Sequence, residues 1–286
     1  MNFVQQSVKK LDNFQQRVKP LAFGYAVIKK YSEEETGYKA ALLTYYSFLA
    51  LFPLLMVLAT ISSIALKNEP ELQKTVIEGA TSYFPMLGTQ LSDHIHALNK
   101  NGLALWAGIL FTLYGTRGLA VVFQRGMRSI WGFEADPKMA FPKNLVHSLT
   151  IIIVGGLGLI TAAILTGFAA AAGTGWEFRI ISVTVNLVIL YLVFLFLIKY
   201  SLPKKVRRNE VRPAALCIAI GLVILQLVGN FVLARELKNL DALYSYFALA
   251  LGLLFWVYLQ AQVIYYSAQL ATVKAKDLWP RKILGD

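Results

Sequence analysis

Long apolar runs alternate with short charged segments along the whole chain. The apolar runs cover residues 40–66, 103–124, 145–172, 180–198, 213–234 and 242–273. Each run reaches the roughly 17–25 residues with which an α-helix crosses the hydrocarbon core of a bilayer. Neither Asp nor Glu occurs in any of them. The pattern predicts an all-α fold, a polytopic transmembrane helix bundle of six spans.

Helical periodicity continues outside these runs. Residues 4–28 place an apolar side chain at every third or fourth position, with basic residues between them. Pro20 should divide or kink this amphipathic N-terminal helix. The helix lies either on the cytoplasmic leaflet or on the protein's own cytoplasmic face, and both interpretations stay open here. The segment 67–102 has two further apolar faces, separated at Pro85, and predicts a helical cover over the outer end of the bundle.

The boundary between the N-terminal helix and the first span carries a capping signal. The four residues from Ser32 to Glu35 have the spacing of a capping box, with Ser32 as N-cap and Glu35 at N3. The helix of the first span is therefore predicted to start there. We divide the chain into a cytoplasmic amphipathic helix, 1–31, a six-span membrane domain, 32–273, and a cytoplasmic tail, 274–286.

Composition and charge orient the predicted bundle. Charged residues make up 15% of the chain, whereas soluble domains carry about 25%. Of the 28 Lys and Arg residues, 21 lie in the segments 1–39, 125–144, 199–212 and 274–286. Only 6 lie in the remaining connecting segments, 67–102, 173–179 and 235–241. By the positive-inside rule both termini are cytoplasmic. The net charge of +12 then faces an anionic leaflet, and no nucleic-acid partner is expected.

Sequence signatures of catalysis and metal binding are absent, so we expect neither an enzyme, nor a metal site, nor a cofactor. No glycine-rich phosphate loop precedes a Lys-Ser or Lys-Thr pair. Asp93, His94 and His96 form the only cluster of metal-ligand types, but the histidines are two positions apart and point to different faces of a helix. No serine or cysteine lies in a nucleophile motif, and the single cysteine, Cys217, cannot form a disulfide within the chain.

Arg117 is the one Lys or Arg residue within the apolar runs. An ionisable residue in a membrane span is a functional hypothesis by default. Tyr114, Gln124 and Arg128 share its helical face, at steps of three, seven and four. In one interpretation Arg117 lines a cavity and binds an anion or a lipid headgroup. In the other, its side chain snorkels towards the cytoplasm.

Amides and phenols are the other notable polar groups within the runs. In the last run, one helical face carries Tyr258, Gln262, Tyr265 and Gln269. In the fifth run, Gln226 and Asn230 lie one turn apart. Buried amides act as glue between helices or, where they converge on a cavity, as a wall that binds a polar solute. Pro53, near the middle of the first run, should kink its helix.

Motifs in the first and last runs resemble those of a known family. The motif residues are Tyr46, Ser47, Phe52, Pro53, Leu54 and Leu55 in the first run, and Trp256, Tyr258 and the segment 267–270 in the last. Their order and spacing, over about residues 25–275, resemble the YihY/BrkB family. Where relatives typically show Gly-Ala-Glu, this chain has Ser267, Ala268 and Gln269, so the last position can form hydrogen bonds but cannot titrate.

The resemblance implies a multi-pass protein of the bacterial inner membrane. The family once carried a ribonuclease BN label, which these residues do not support, because RNA cleavage would need cytoplasmic metal ligands or an acid–base pair. We predict a transporter-like or exporter-like protein for a polar or anionic solute or a lipid headgroup. Arg117 would be its electrostatic anchor and the polar face of the last run its binding wall. The alternative is a non-transporting envelope or scaffold protein; in both cases the lipid bilayer is a partner.

Overall fold

The computed structural model describes residues 12–65, 102–134, 143–171, 175–236 and 242–282. All regular structure in this part of the chain is helical. The helices are α1 Lys19–Glu33, α2 Thr36–Ala65, α3 Gly102–Ile130, α4 Lys143–Ala171, α5 Trp176–Ser201, α6 Arg208–Glu236 and α7 Ala242–Ala275. The helical cover expected before α3, with its two histidines, lies outside the described residues.

The apolar runs of the sequence coincide with α2 to α7, and the all-α class is confirmed. Two described stretches are long and apolar enough to cross a membrane, Trp176–Ser201 in α5 and Arg208–Gly229 in α6. One side of α5 exposes Val188, Leu192 and Phe196 at successive turns. Soluble proteins rarely expose apolar patches larger than a few hundred Å², so this outward surface is typical of a helix that faces lipid.

Two helix starts test the boundaries predicted near the N-terminus. α1 begins at Lys19, with Pro20 in its first turn and an extended Val18 before it, so the division at Pro20 is confirmed. The predicted capping box is wrong, because Ser32 lies in the last turn of α1 and α2 begins only at Thr36. Tertiary hydrogen bonds from this last turn to α7 outweigh the local capping preference.

α1 packs on the bundle through small side chains and exposes large ones. Ala26 is fully buried in a cluster with Val273 of α7. Leu21 and Ile28, from the apolar stripe predicted from the sequence, lie on another face of α1 and are 49% and 60% exposed. Phe14 of the same stripe precedes α1 and is 61% exposed. The N-terminal helix therefore contacts the protein with one face and presents an apolar face to its surroundings.

Close approaches at glycines hold the long helices together. α2 packs on α3 and α7, α4 packs on α5, and α6 packs on α5 and α7. A Cβ atom at Gly126 of α3 would lie 2.2 Å from the Tyr265 hydroxyl of α7, and one at Gly158 of α4 would lie 2.2 Å from Val193 of α5. Such contacts need a residue without a side chain. α2 continues as one helix past Pro53, and the kink expected there stays a prediction.

Candidate functional site

A cavity of about 230 Å³ lies at the centre of the bundle, and each of the helices α2 to α7 contributes to its wall. Its polar side chains are Ser47, Thr116, Gln226 and Gln260. Two adjacent glycines of α4 form another part of the wall. All other lining residues are Ala, Val, Leu, Ile or Phe, so the cavity is strongly apolar.

Among the predicted site residues whose side chains the structure describes, Gln226 is the one that lines this cavity. Its side-chain carbonyl accepts a hydrogen bond from the Asn186 amide of α5 at 2.8 Å. The pair joins α5 and α6 inside the bundle, where a hydrogen bond between helices replaces water. Sequence reasoning missed Asn186, although a lone amide in an otherwise apolar run was a usable signal.

Tyr265 forms a layer between the cavity and the end of the bundle at which α1 lies, which we call the α1 end. The side chain is fully buried and follows the lining residue Ile264 directly in α7. Its hydroxyl donates to the backbone carbonyl of Val122 in α3 at 3.3 Å. The ring fits there because Gly126 leaves space for it. Tyr265 therefore acts as a contact between α3 and α7 beneath the cavity.

One further step towards the α1 end, four side chains form a buried polar group that we call the Lys30 junction. Its members are Lys30 and Glu34 at the end of α1, Thr36 at the start of α2, and Gln269 of α7. Lys30, Thr36 and Gln269 are buried, and Glu34 is partly exposed. The junction ties three helices to one another, and it also bonds to the end of α3.

Lys30 carries the positive charge of the junction. Its ammonium donates to Glu34 Oε1 at 2.5 Å, to Gln269 Oε1 at 2.8 Å and to the backbone carbonyl of Ile130 at 2.9 Å. An ammonium has three N–H donors, so each of them is satisfied. Burial lowers the pKa of Lys30 below its ordinary value, and the hydrogen bond and charge of Glu34 act in the opposite direction. The α3 carbonyl adds the partial negative charge of a helix C-terminus.

Gln269 holds α7 to the N-terminal segment with both ends of its amide. The Oε1 atom accepts from Lys30, while Nε2 donates to Glu34 Oε2 at 2.7 Å and to the Thr36 hydroxyl at 2.8 Å. The neighbours thus determine which way the amide points, because a cation needs the oxygen and a carboxylate needs the nitrogen. A carboxylate at position 269 could not make both donations.

Replacing Gln269 with glutamate is therefore expected to lower the free energy of unfolding by about 1–3 kcal/mol. Glu34 and Thr36 would each lose a donor, and two carboxylates would face each other, an unfavourable arrangement that the Lys30 ammonium offsets only in part. Equilibrium unfolding in mixed detergent micelles measures the effect. The matched control is Gln16→Glu at a half-exposed position, where we expect a change within about 0.5 kcal/mol. Equal stability of the two variants would contradict the role assigned to Gln269.

The structure places Arg117 away from the cavity. Its side chain is exposed on the surface of the bundle, whereas the adjacent Thr116 lines the cavity wall. Gln124, which shares its helical face in the sequence, is buried. The side chains of Tyr114 and Asn230 lie outside the described part of the structure. Arg117 is therefore not part of the cavity wall in this structure, and the snorkelling of its side chain towards the cytoplasm stays a prediction.

The polar face of α7 is directed at other helices instead of the cavity. The Gln262 side chain accepts a hydrogen bond from the Tyr31 hydroxyl of α1. The ring of Tyr31 stacks on Tyr266, with ring centroids 4.0 Å apart. Tyr258 is half-buried against the hydrophobic core. The part of the cavity wall that α7 contributes is formed by other residues, among them Gln260. The polar face of α7 therefore forms contacts between helices.

Sequence reasoning missed most of the Lys30 junction. The usable signal was the i, i+4 spacing of Lys30 and Glu34, which supports an ion pair on a helix. Nothing local linked that pair to α7. Among the described residues, no three His, Cys, Asp or Glu side chains are grouped so that they could hold a metal ion.

The described part of the chain is an all-helical bundle with an apolar outer surface and an apolar central cavity. These features are those of a helical membrane protein. The chain belongs to the family described as virulence factor BrkB, whose model matches residues 27–281. The resemblance noted from the motifs of the first and last runs is thereby confirmed. The match covers all of α2 to α7 and the second half of α1.

Relatives in this family are named as membrane proteins. A UPF0761 membrane protein of Psychrobacter sp. (strain PRwf-1) is 25% identical over 274 residues, which cover 89% of this chain and 49% of the relative. The inner membrane protein YhjD of Escherichia coli (strain K12) is 23% identical over 260 residues, which cover 83% of this chain and 76% of the relative. This chain therefore spans about half the length of the Psychrobacter protein. No solved structure matches the chain.

Proposed function

We propose that this chain is a transporter-like protein of the bacterial inner membrane, with α2 to α7 as six transmembrane helices around a binding cavity. The observation that carries the proposal is the cavity, to which each of these helices contributes a part of the wall. A static scaffold gains nothing from such a space, because the atoms that line a void lose dispersion contacts. A carrier for a polar or anionic solute or a lipid needs it.

In this proposal the α1 end of the bundle is cytoplasmic, and both termini lie on that side. The uneven distribution of Lys and Arg among the connecting segments supports this orientation. The exposed face of α1, with Leu21 and Ile28, then rests on the cytoplasmic leaflet, as does the exposed Phe14 before it. Arg17, which precedes α1, is also exposed and suits an anionic headgroup.

The proposed mechanism opens and closes the cytoplasmic exit of the cavity. Alternating access requires groups of helices to rock against each other around a binding site. Two layers close the cavity on this side, first Tyr265 and then the Lys30 junction. The junction joins α2, α3 and α7, which would have to separate. We therefore propose that it is the latch that holds the cytoplasmic exit shut.

Accessibility of a cysteine in the cavity tests this mechanism without a known substrate. Ser47→Cys, in a Cys217→Ser background, places a thiol on the cavity wall. In membrane vesicles with the cytoplasmic face outward, a membrane-impermeant maleimide should label it slowly. Adding Lys30→Met should accelerate labelling at least about tenfold, because each 1.4 kcal/mol lost from the closed state raises the open population tenfold.

Two controls accompany the labelling experiment. Leu49→Cys lies two residues away on the exposed face of α2, and we expect no change there on adding Lys30→Met. Lys29→Met, the neighbouring charge substitution, should leave labelling at position 47 unchanged. Equal labelling of position 47 with and without Lys30→Met would contradict a gated cavity. Faster labelling at position 49 as well would indicate general unfolding and contradict the latch.

The alternative is a non-transporting envelope or scaffold protein, and one observation favours it. Arg117 is exposed on the bundle surface and does not line the cavity. A cation there can bind lipid headgroups or a partner protein without any transport. The scaffold predicts a cavity whose accessibility does not respond to the Lys30 junction, so the labelling experiment separates the two functions. Neither of them requires a catalytic group or a cofactor.

A further inference from the structure

Three of the four polar side chains of the cavity wall are already engaged within the protein. Gln226 accepts a hydrogen bond from Asn186 at 2.8 Å. Thr116 and Gln260 also have interaction partners. A polar solute that entered would lose its hydration and find few free groups in exchange. The wall is therefore unsuited to the polar and anionic solutes that the sequence left open.

Size and surface chemistry of the cavity suit a hydrocarbon. Its volume is about 230 Å³, and an apolar protein cavity of about 150 Å³ stays dry and binds benzene. A whole lipid is far too large for this space, but a segment of an acyl chain fits. At Gly156, on the wall, an added Cβ atom would meet no other atom within 4 Å.

With α2 to α7 as the proposed transmembrane helices, the cavity lies at the depth of the lipid chains. Every lining residue lies within one of the apolar runs that match the helices α2 to α7. The cavity is partly open to its surroundings. The outward faces of the same helices are apolar, as Leu157 of α4 and Leu192 of α5 illustrate, which are 59% and 54% exposed. A phospholipid beside the bundle can therefore insert one chain while its headgroup stays at the interface.

We propose that the central cavity binds an acyl chain of a membrane phospholipid, which makes an amphipathic lipid the substrate class of this protein. The proposal deepens the transporter-like function and rests on it. The hydrocarbon chain enters the cavity, and the headgroup remains outside the apolar wall.

Photo-crosslinking tests the assignment. The full-length chain is placed in nanodiscs that contain a phosphatidylethanolamine with a diazirine in the middle of one acyl chain, and the adducts are mapped by mass spectrometry. We expect adducts at Leu190 and Phe194, which line the cavity, as well as at the lipid-facing Leu192. Gly156→Leu should reduce the first two at least about fivefold, because its side chain occupies the space that the lipid chain needs. Adducts at Leu192 should not change.

The matched control is Leu157→Phe, which enlarges the adjacent residue on the outer face of α4 and should leave all three adducts unchanged. A parallel arm uses a free fatty acid with the same diazirine. The proposal would be overturned by adducts confined to Leu192, or by cavity adducts that Gly156→Leu does not reduce. Cavity adducts formed with the free fatty acid but not with the phospholipid would overturn the assignment of the ligand to a phospholipid. If the lipid forms cavity adducts but Lys30→Met does not change the labelling of Ser47→Cys, lipid binding is supported and the carrier function is contradicted. If Lys30→Met accelerates labelling but no cavity adducts form, lipid binding is contradicted and the carrier function is not.

Discussion

Replacing Lys30 with methionine is expected to lower the free energy of unfolding by about 3 kcal/mol, near the lower end of the range for breaking a buried ion pair. Methionine keeps much of the length of the side chain but removes the charge and all three donors. Gln269 and the Ile130 carbonyl would each lose a donor inside the protein. Glu34 would lose its cation, but its side chain is 26% exposed and can regain water. Equilibrium unfolding in mixed detergent micelles measures the loss.

The neighbouring residue provides the control. Lys29 donates to the Lys282 carbonyl at 2.8 Å and lies 3.9 Å from Glu33 in a partly exposed ion pair. Lys29→Met should therefore change stability by less than about 1 kcal/mol. Combining Lys30→Met with Glu34→Gln should recover part of the loss, because the unpaired carboxylate is removed. Similar effects of the Lys29 and Lys30 substitutions would show that the junction does not hold the α1 end together.

Replacing Gly126 with alanine is expected to cost about 3 kcal/mol, near the upper end of the usual penalty for overpacking. The new Cβ atom would lie 2.2 Å, 2.6 Å and 2.7 Å from the hydroxyl, Cζ and Cε1 atoms of Tyr265. Tyr265 is fully buried, and its hydroxyl bonds to Val122 of the same helix as Gly126. The ring cannot move away without pushing α3 and α7 apart. Thermal unfolding of the purified protein in detergent measures the loss.

Two further variants make this result specific. Gly24→Ala is the matched control, because a Cβ atom at this position of α1 would meet nothing within 4 Å. It should leave stability unchanged or raise it by up to about 1 kcal/mol through helix propensity. In a Tyr265→Leu background, Gly126→Ala should cost much less than in the native protein, since the three crowded atoms are gone. Equal costs in the two backgrounds would contradict the Tyr265 layer.

The helices themselves could be predicted from local patterns. The third apolar run, 145–172, anticipates α4 at Lys143–Ala171, because long uncharged runs satisfy their backbone hydrogen bonds only as helices in a membrane. The division of the N-terminal helix at Pro20 was predicted for an equally local reason. The capping box at Ser32 failed where a local preference competed with tertiary bonds, since the end of α1 is held by Gln269 of α7.

The sequence by itself determined the all-α class, the positions of the helices, the division at Pro20 and the family, since these follow from short-range periodicity, run length and motif order. Only the tertiary structure decided which face of each helix meets the cavity, a neighbour or the lipid. Helices that are apolar on every side carry little local information about their rotation, and the packing of all of them together sets it. For this reason Arg117 points outward, Gln226 reaches the cavity, and Gln269 meets Lys30, 239 positions away in the chain.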